Sequence, residues 1–142
     1  SEVIKRVAHR CKINIELKGT HTAKPVNALL KDFISKGWRE DEFMISSFNH
    51  EELAASIPGI KRGALFHKQV ANMFRRAADL NAYAVNLSQK MARTEIVAQA
   101  HERGYQVFVY TVNTRDEMLA LKKMGVDGVF TNFPDLFPSD KP

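Results

Sequence analysis

Six short runs of strand-forming residues, separated by stretches of helical periodicity or helix-capping signals, constrain the fold more than any other feature of the chain. Strands are expected at residues 13–18, 43–48, 60–66, 82–87, 106–112 and 126–131. The third is the weakest of them, because Lys61, Arg62 and Gly63 interrupt its apolar run. Between them, helical signals recur. Val3, Ile4, Val7 and Cys11 share one face. Pro25 suits a helix start, Leu29, Leu30 and Phe33 give that helix an apolar stripe, and Gly37 stops it. Asn49 is a suitable N-cap with Glu51 and Glu52 in the first turn, and Pro58-Gly59 ends that helix. Val70, Met73, Phe74 and Ala77 mark a fourth face; residues 92–103 form a fifth helix before Gly104; Thr114 caps a sixth, which ends at Gly125. Strands alternating with helices imply parallel pairing and an α/β fold. The polar tail, Pro138 to Pro142, is expected to fray. No repeat or linker divides the 142 residues, so one structural unit is expected.

The strand at 13–18 narrows the choice. Period-two geometry puts Ile13, Ile15 and Leu17 on one face and Asn14, Glu16 and Lys18 on the other. A central strand of a doubly wound sheet is covered by helices on both sides and is apolar on both. A barrel interior that opens to a polar mouth accommodates the Asn-Glu-Lys row instead. Glu16 and Lys18 fall at the C-terminal end of the strand, where parallel barrels carry their sites. A carboxylate there suits a hard divalent cation, and a lysine one pleat further on suits a phosphate. An ion pair between the two at a solvated strand end satisfies the pattern equally well. Phe48 and Tyr110, also at strand ends, either close over a substrate or pack in the core.

Composition excludes several classes. Hydrophobic residues at 44% and charged residues at 26% match a folded domain. No apolar run approaches the roughly 20 residues of a membrane span, and no signal peptide is visible at the N-terminus. Cys11, the lone cysteine, cannot form an internal disulfide, so a reducing, cytoplasmic setting is expected. The net charge of +5 permits an anionic partner, but the basic residues are scattered and no nucleic-acid recognition motif occurs. The five histidines make no HExxH or zinc spacing. His21 and His67 follow strand ends; His101, beside Glu102 and Arg103, is expected to be solvated. Walker loops, GxGxxG and nucleophile elbows are absent.

Asn14-Ile15-Glu16-Leu17-Lys18, Ser47-Phe48, Val109-Tyr110-Thr111-Val112-Asn113 and residues 125–135 together resemble segments of the glycerophosphodiester phosphodiesterase family. Asn14-Ile15-Glu16-Leu17-Lys18 is similar to its Asn-Ile-Glu-Ile-Lys strand, and Ser47-Phe48 to the end of its next strand. Val109-Tyr110-Thr111-Val112-Asn113 is similar to a Val-Trp-Thr-Val-Asn strand. Residues 125–135, Gly-Val-Asp-Gly-Val-Phe-Thr-Asn-Phe-Pro-Asp, resemble its closing Gly-Val-Asp-Gly-Ile-Phe-Thr-Asp-Phe-Pro segment. The resemblance implies a TIM-type barrel that hydrolyses glycerophosphodiesters to an alcohol and glycerol 3-phosphate with Mg²⁺ or Ca²⁺. It implies Glu16 as a metal ligand, Lys18 as a phosphate-facing lysine, and Phe48 and Tyr110 as substrate-binding aromatics, Tyr110 standing where the family usually has Trp.

The departures concern the N-terminal part. The family's His-Arg-Gly strand, Glu-x-Asp strand and second catalytic histidine have no counterpart here. Ala8-His9-Arg10-Cys11 imitates the first motif, but Cys11 replaces the glycine and His9 lies at the end of a helix leading into the Glu16 strand. No catalytic residue is therefore assigned within the chain. A TIM barrel has eight strands in about 250 residues, so six strands correspond to the third through eighth. The expectation is a C-terminal part of such a barrel, spanning residues 1–142, inactive alone. Its start at Ser1 rather than Met fits a piece cut from something longer. Its expected partners are the substrate, a retained N-terminal portion, or further copies recruited through open strand edges. A naturally short, non-catalytic partial barrel that binds or assembles is the alternative.

Overall fold

The computed structural model describes residues 1–68 and 71–137; Val70 of the fourth expected helical face and the 138–142 tail lie outside them. The strands are β1 (Ile13–Glu16), β2 (Phe43–Ser47), β3 (Lys61–Phe66), β4 (Ala84–Ser88), β5 (Gln106–Tyr110) and β6 (Gly128–Val129). The helices are α1 (Glu2–Val7), α2 (Ala23–Ser35), α3 (His50–Ala54), α4 (Met73–Asp79), α5 (Thr94–Glu102) and α6 (Arg115–Met124). All six strands are parallel and lie in sequence order, β1 to β6. The sheet is a curled half-barrel, and among the described residues its end strands β1 and β6 each have a single strand neighbour.

Alternation along the strands separates two faces. The outer one carries Phe43, Ile45, Val85, Leu87, Val107 and Val109, all at most 1% exposed, against Leu30, Leu53, Val97 and Met118 of the helices. The inner one carries Asn14, Glu16, Ser46, Gly63, Asn86, Phe108 and Tyr110, which the strand register places in adjoining rows. Two faces of such different polarity are what the β1 pattern requires. The apolar face supplies the hydrophobic stabilisation, at roughly 25 cal/mol per Å² buried, and the inner face is left for chemistry.

Long-range polar contacts set several boundaries. α2 starts at Ala23, ahead of Pro25, because the Glu52 carboxylate of α3 accepts from the backbone N–H groups of His21 (2.6 Å) and Ala23 (2.8 Å). Glu52 is thus a cap supplied by another helix. These donors hold its carboxyl below the usual carboxylate range. A depressed folded value gives stability that is present above the ordinary pKa of 4.5 and lost as pH falls through the folded value. Glu52→Gln is expected to lower Tm at pH 7 and to flatten the decline in Tm below pH 4.5; thermal melts from pH 3 to 7 check both. Asn49 and Thr114 are N-caps as expected, accepting from Glu51 and Glu52 and from Glu117 respectively.

β3 forms despite its polar residues because each has a partner. The Arg62 guanidinium donates to Ser56 Oγ and to the carbonyls of Leu80, Ala54 and Ser56. Lys61 Nζ lies 4.3 Å from the centre of the Tyr83 ring. A Cβ on Gly63 would come within 2.7 Å of Asn86 Nδ2, so the interruption makes room for a neighbouring side chain. β6 spans only residues 128–129, although Asp127 N–H to Val107 and Phe130 N–H to Val109 extend its pairing to β5.

His9 and His101 have structural partners. His9, at positive φ after α1, stacks on Trp38 at 3.9 Å and bonds through Nδ1 to the buried Glu42 carboxylate at 2.7 Å. His101 is not simply solvated: its Nε2 donates to Asp127 Oδ2 at 2.7 Å. The same carboxylate oxygen accepts from Val107 N–H at 2.8 Å. Asp127 of the Gly-Val-Asp-Gly segment therefore ties α5 to the start of β5.

Candidate functional site

The C-terminal ends of the strands form a mouth, and its walls come from residues two pleats or one loop apart. Glu16 is the last residue of β1, on the inner face. Beyond it the chain stays extended, because Leu17 N–H donates to Ser46 O (2.8 Å) and Ser47 Oγ donates to Leu17 O (2.8 Å). Lys18 is thereby held on the same side as Glu16, with Nζ 4.0 Å from Oε2. The pair is solvated: the side chains are 79% exposed for Lys18 and 34% for Glu16. Such a contact contributes at most about 1 kcal/mol, so stability alone does not account for placing both charges there.

A cavity of about 160 Å³ opens beside the pair, lined among others by Asn14, Glu16, Ser46, Phe48, Tyr110 and Phe130. Phe48, 44% exposed just beyond β2, meets the Tyr110 ring edge-on at 5.7 Å between centres. Its other side meets the His67 imidazole at 5.7 Å. Tyr110 Oη donates to Phe66 O at 2.6 Å. Burial first, and the nearby Glu16 charge second, push the Tyr110 phenol up to about 12. The phenol is thus a neutral donor at any physiological pH. A group raised in this way loses its contribution to stability between its ordinary value of 10.0 and about 12. Ultraviolet titration of the three tyrosines is expected to show one phenol ionising near 12, a step that Tyr110→Phe removes.

The four residues singled out from sequence converge here. Glu16, Phe48 and Tyr110 line one cavity, and Lys18 stands at its rim. His67 joins them through Phe48, while His21 is an exposed loop residue whose N–H serves the Glu52 cap. His9 is remote from the mouth in its environment, held by Trp38 and Glu42. Ser46 and Phe130 are lining residues that sequence reasoning misses. Ser46 sits directly across from Glu16 in the register, a position that only strand pairing reveals. Among the described residues no cluster of three or more His, Cys, Asp or Glu side chains is placed to hold a metal ion. A cation at one edge, a carboxylate beside it and an aromatic wall opposite suit a small anionic molecule with an apolar or polyol part. A larger cavity, about 370 Å³, lies at the other end of the strands and is lined by Lys12, Lys61, Tyr83 and Gln106 among others; it is the open interior of the half-barrel.

Comparison with known proteins agrees with this architecture. The family model for the glycerophosphoryl diester phosphodiesterase family matches residues 1–136. A glycerophosphodiester phosphodiesterase of Bacillus altitudinis is 30% identical over 142 residues, covering 94% of this chain and 58% of that protein. One from Bacillus subtilis is 31% identical over 151 residues, covering 96% and 51%. Among solved structures, an Oleispira antarctica phosphodiesterase in complex with the product sn-glycerol 3-phosphate superposes with a TM-score of 0.79 at 25% identity, over 94% of this chain and 55% of that one. The glycerophosphodiester phosphodiesterase of Thermotoga maritima gives 0.73 at 25% identity, over 92% and 57%. The chain spans between half and three fifths of the length of these two Bacillus relatives, its six parallel strands form a curled half-barrel like part of a TIM-type fold, and it belongs to the glycerophosphoryl diester phosphodiesterase family.

Proposed function

We propose that the chain is the substrate-binding C-terminal part of a glycerophosphodiester phosphodiesterase, which hydrolyses glycerophosphodiesters to an alcohol and glycerol 3-phosphate and is inactive as this part alone. The observation that carries the reading is the convergence of Glu16, Lys18, Phe48 and Tyr110 on one strand-end cavity. In this reading Lys18 meets the phosphate as a point charge, and Phe48 and Tyr110 form the wall against which the organic part lies. The Tyr110 hydroxyl, donating to Phe66 O, holds its ring upright.

The residues present do not by themselves fit a divalent cation. Ca²⁺ takes six to eight oxygens and Mg²⁺ a near-ideal octahedron, whereas Glu16 offers one carboxylate with no acidic or imidazole group clustered about it among the described residues. Glu16 is proposed as a single ligand of a site whose other members come from outside residues 1–142, and no chemical step is routed through a metal. Calorimetry of the chain with Mg²⁺ or Ca²⁺ is expected to show no binding tighter than millimolar. Micromolar affinity that survives Glu16→Gln would contradict the assignment.

General acid–base chemistry needs a proton acceptor and a donor within reach of the reacting atoms. Among the described residues no imidazole lines the strand-end cavity itself, and His67 reaches it only through Phe48. An N-terminal portion is therefore the proposed partner, seated between the open edges of β1 and β6. The cytoplasmic placement rests on Cys11, which is exposed and unpaired. The test is complementation. The half of the Bacillus altitudinis relative that this chain does not match, co-refolded with the chain, is expected to release glycerol 3-phosphate from glycerophosphodiesters. A soluble stoichiometric complex without turnover would contradict the reading.

A further inference from the structure

His67 stands beside the aromatic wall of the mouth, and the fold fixes its backbone with side chains from two other strands. Ser88 Oγ, at the end of β4, donates to His67 O at 3.2 Å. Tyr110 Oη, at the end of β5, donates to the preceding carbonyl, Phe66 O, at 2.6 Å. Ser88 and Tyr110 are themselves partners in the β4–β5 register. Two successive carbonyls at the C-terminal end of β3 are thus pinned at the point where the chain presents this ring. The His67 side chain then lies edge-on to Phe48, which lies edge-on to Tyr110, so the three rings form a row of contacts with Phe48 touching both of the others. The residue is nonetheless exposed. A hydrophobic ring would pack against Phe48 equally well. What a neutral imidazole adds is one hydrogen-bond donor and one acceptor on an exposed residue.

The row also divides the mouth. Glu16 and Lys18 stand on β1 and just after it, whereas His67 stands after β3, with Phe48 between. A diester whose phosphate meets Lys18 would extend one of its two organic arms along the aromatic wall. Resting on the proposed phosphodiesterase reading, we propose that His67 is a specificity-determining residue that hydrogen-bonds a hydroxyl of the arm lying along the wall, and so favours diesters of polyhydric alcohols over those of choline. A quaternary ammonium has neither donor nor acceptor to offer an imidazole, whereas glycerol has both. A site that hydrogen-bonds a substrate hydroxyl discriminates against an analogue lacking it, because the site's polar group is left unpaired.

The experiment uses the complemented barrel and compares kcat/KM for glycerophosphoglycerol with that for glycerophosphocholine. His67→Phe, which keeps the ring against Phe48, is expected to cut the ratio about tenfold, the effect of one ordinary hydrogen bond. His67→Gln, which keeps a donor and an acceptor, is expected to retain most of it. An unchanged ratio in His67→Phe with normal turnover of both substrates would overturn the specificity role and leave the phosphodiesterase reading standing. Equal loss on both substrates would assign His67 a merely structural part and overturn it too. Absence of turnover in the unmodified complex would overturn both. As a second readout, the His67 ring resonances of the chain are expected to move with glycerophosphoglycerol and not with glycerophosphocholine; movement of the Tyr110 resonances alone would count against His67.

Discussion

Lys18→Met in the complemented barrel is expected to lower kcat/KM for glycerophosphodiesters by about 10²- to 10³-fold, the loss found when one electrostatic donor to a transition state is removed. The expectation comes from a mismatch of magnitudes. In the chain as it stands, Lys18 is 79% exposed and its nearest partner, Glu16 Oε2, is 4.0 Å away, a contact that contributes at most about 1 kcal/mol to folding. The variant should therefore melt within a few degrees of the unmodified protein while its activity collapses. Met preserves the length and most of the apolar stem, so packing losses are small. Unchanged kcat/KM would remove Lys18 from the phosphate site. Parallel losses of Tm and activity would reassign it to the structure of the strand end.

How much of this could be read from the residues depends on the range of the interaction. The two faces of β1 were legible because period two is a property of a single strand, and the burial of Leu17 beside the exposure of Asn14 and Glu16 follows it. The N-caps Asn49 and Thr114 were legible for the same reason: their acceptors serve N–H groups two or three residues on. β3 looked weak because Arg62, Lys61 and Gly63 have partners outside the strand, among them Leu80, Tyr83 and Asn86, which lie about 18 to 23 residues away. The start of α2 at Ala23 depends on Glu52 of another helix. The place of His9 at a helix end was legible, but its stack on Trp38 and its bond to Glu42 had no local signature. Motif order singled out Glu16, Lys18, Phe48 and Tyr110 as candidates, which the fold gathers at one cavity and its rim, whereas Ser46 and the Ser88 and Tyr110 hydrogen bonds to the end of β3 required the register.

The second large effect concerns the chain alone. It is expected to release no glycerol 3-phosphate above the uncatalysed background. The mouth presents the Glu16 carboxylate, the Lys18 ammonium and the His67 imidazole, and among the described residues no acidic or imidazole cluster accompanies Glu16. Charge neutralisation by Lys18 alone does not provide both a proton acceptor for water and a donor for the leaving alcohol, and removing either role from a site of this kind costs about 10²- to 10⁴-fold. The open edges compound the deficit. Among the described residues β1 and β6 each lack a neighbour on one side, so the interior behind the mouth stays wet, and electrostatic contacts in a wet site are weakened by the high dielectric. A complementing N-terminal portion would restore the missing groups and exclude water in one step, so the recovery should be all-or-none with stoichiometry rather than graded with metal concentration.

The most direct measurement is glycerol 3-phosphate release from glycerophosphodiesters by the purified chain, with Mg²⁺ or Ca²⁺ present and with intact-mass spectrometry excluding a second peptide. No turnover from the chain alone, and turnover saturating at one equivalent of the N-terminal half, is the predicted result. Robust metal-dependent turnover by the chain alone would contradict the account, and would mean that residues 1–142 contain their own acid–base groups, with His67 the first to replace.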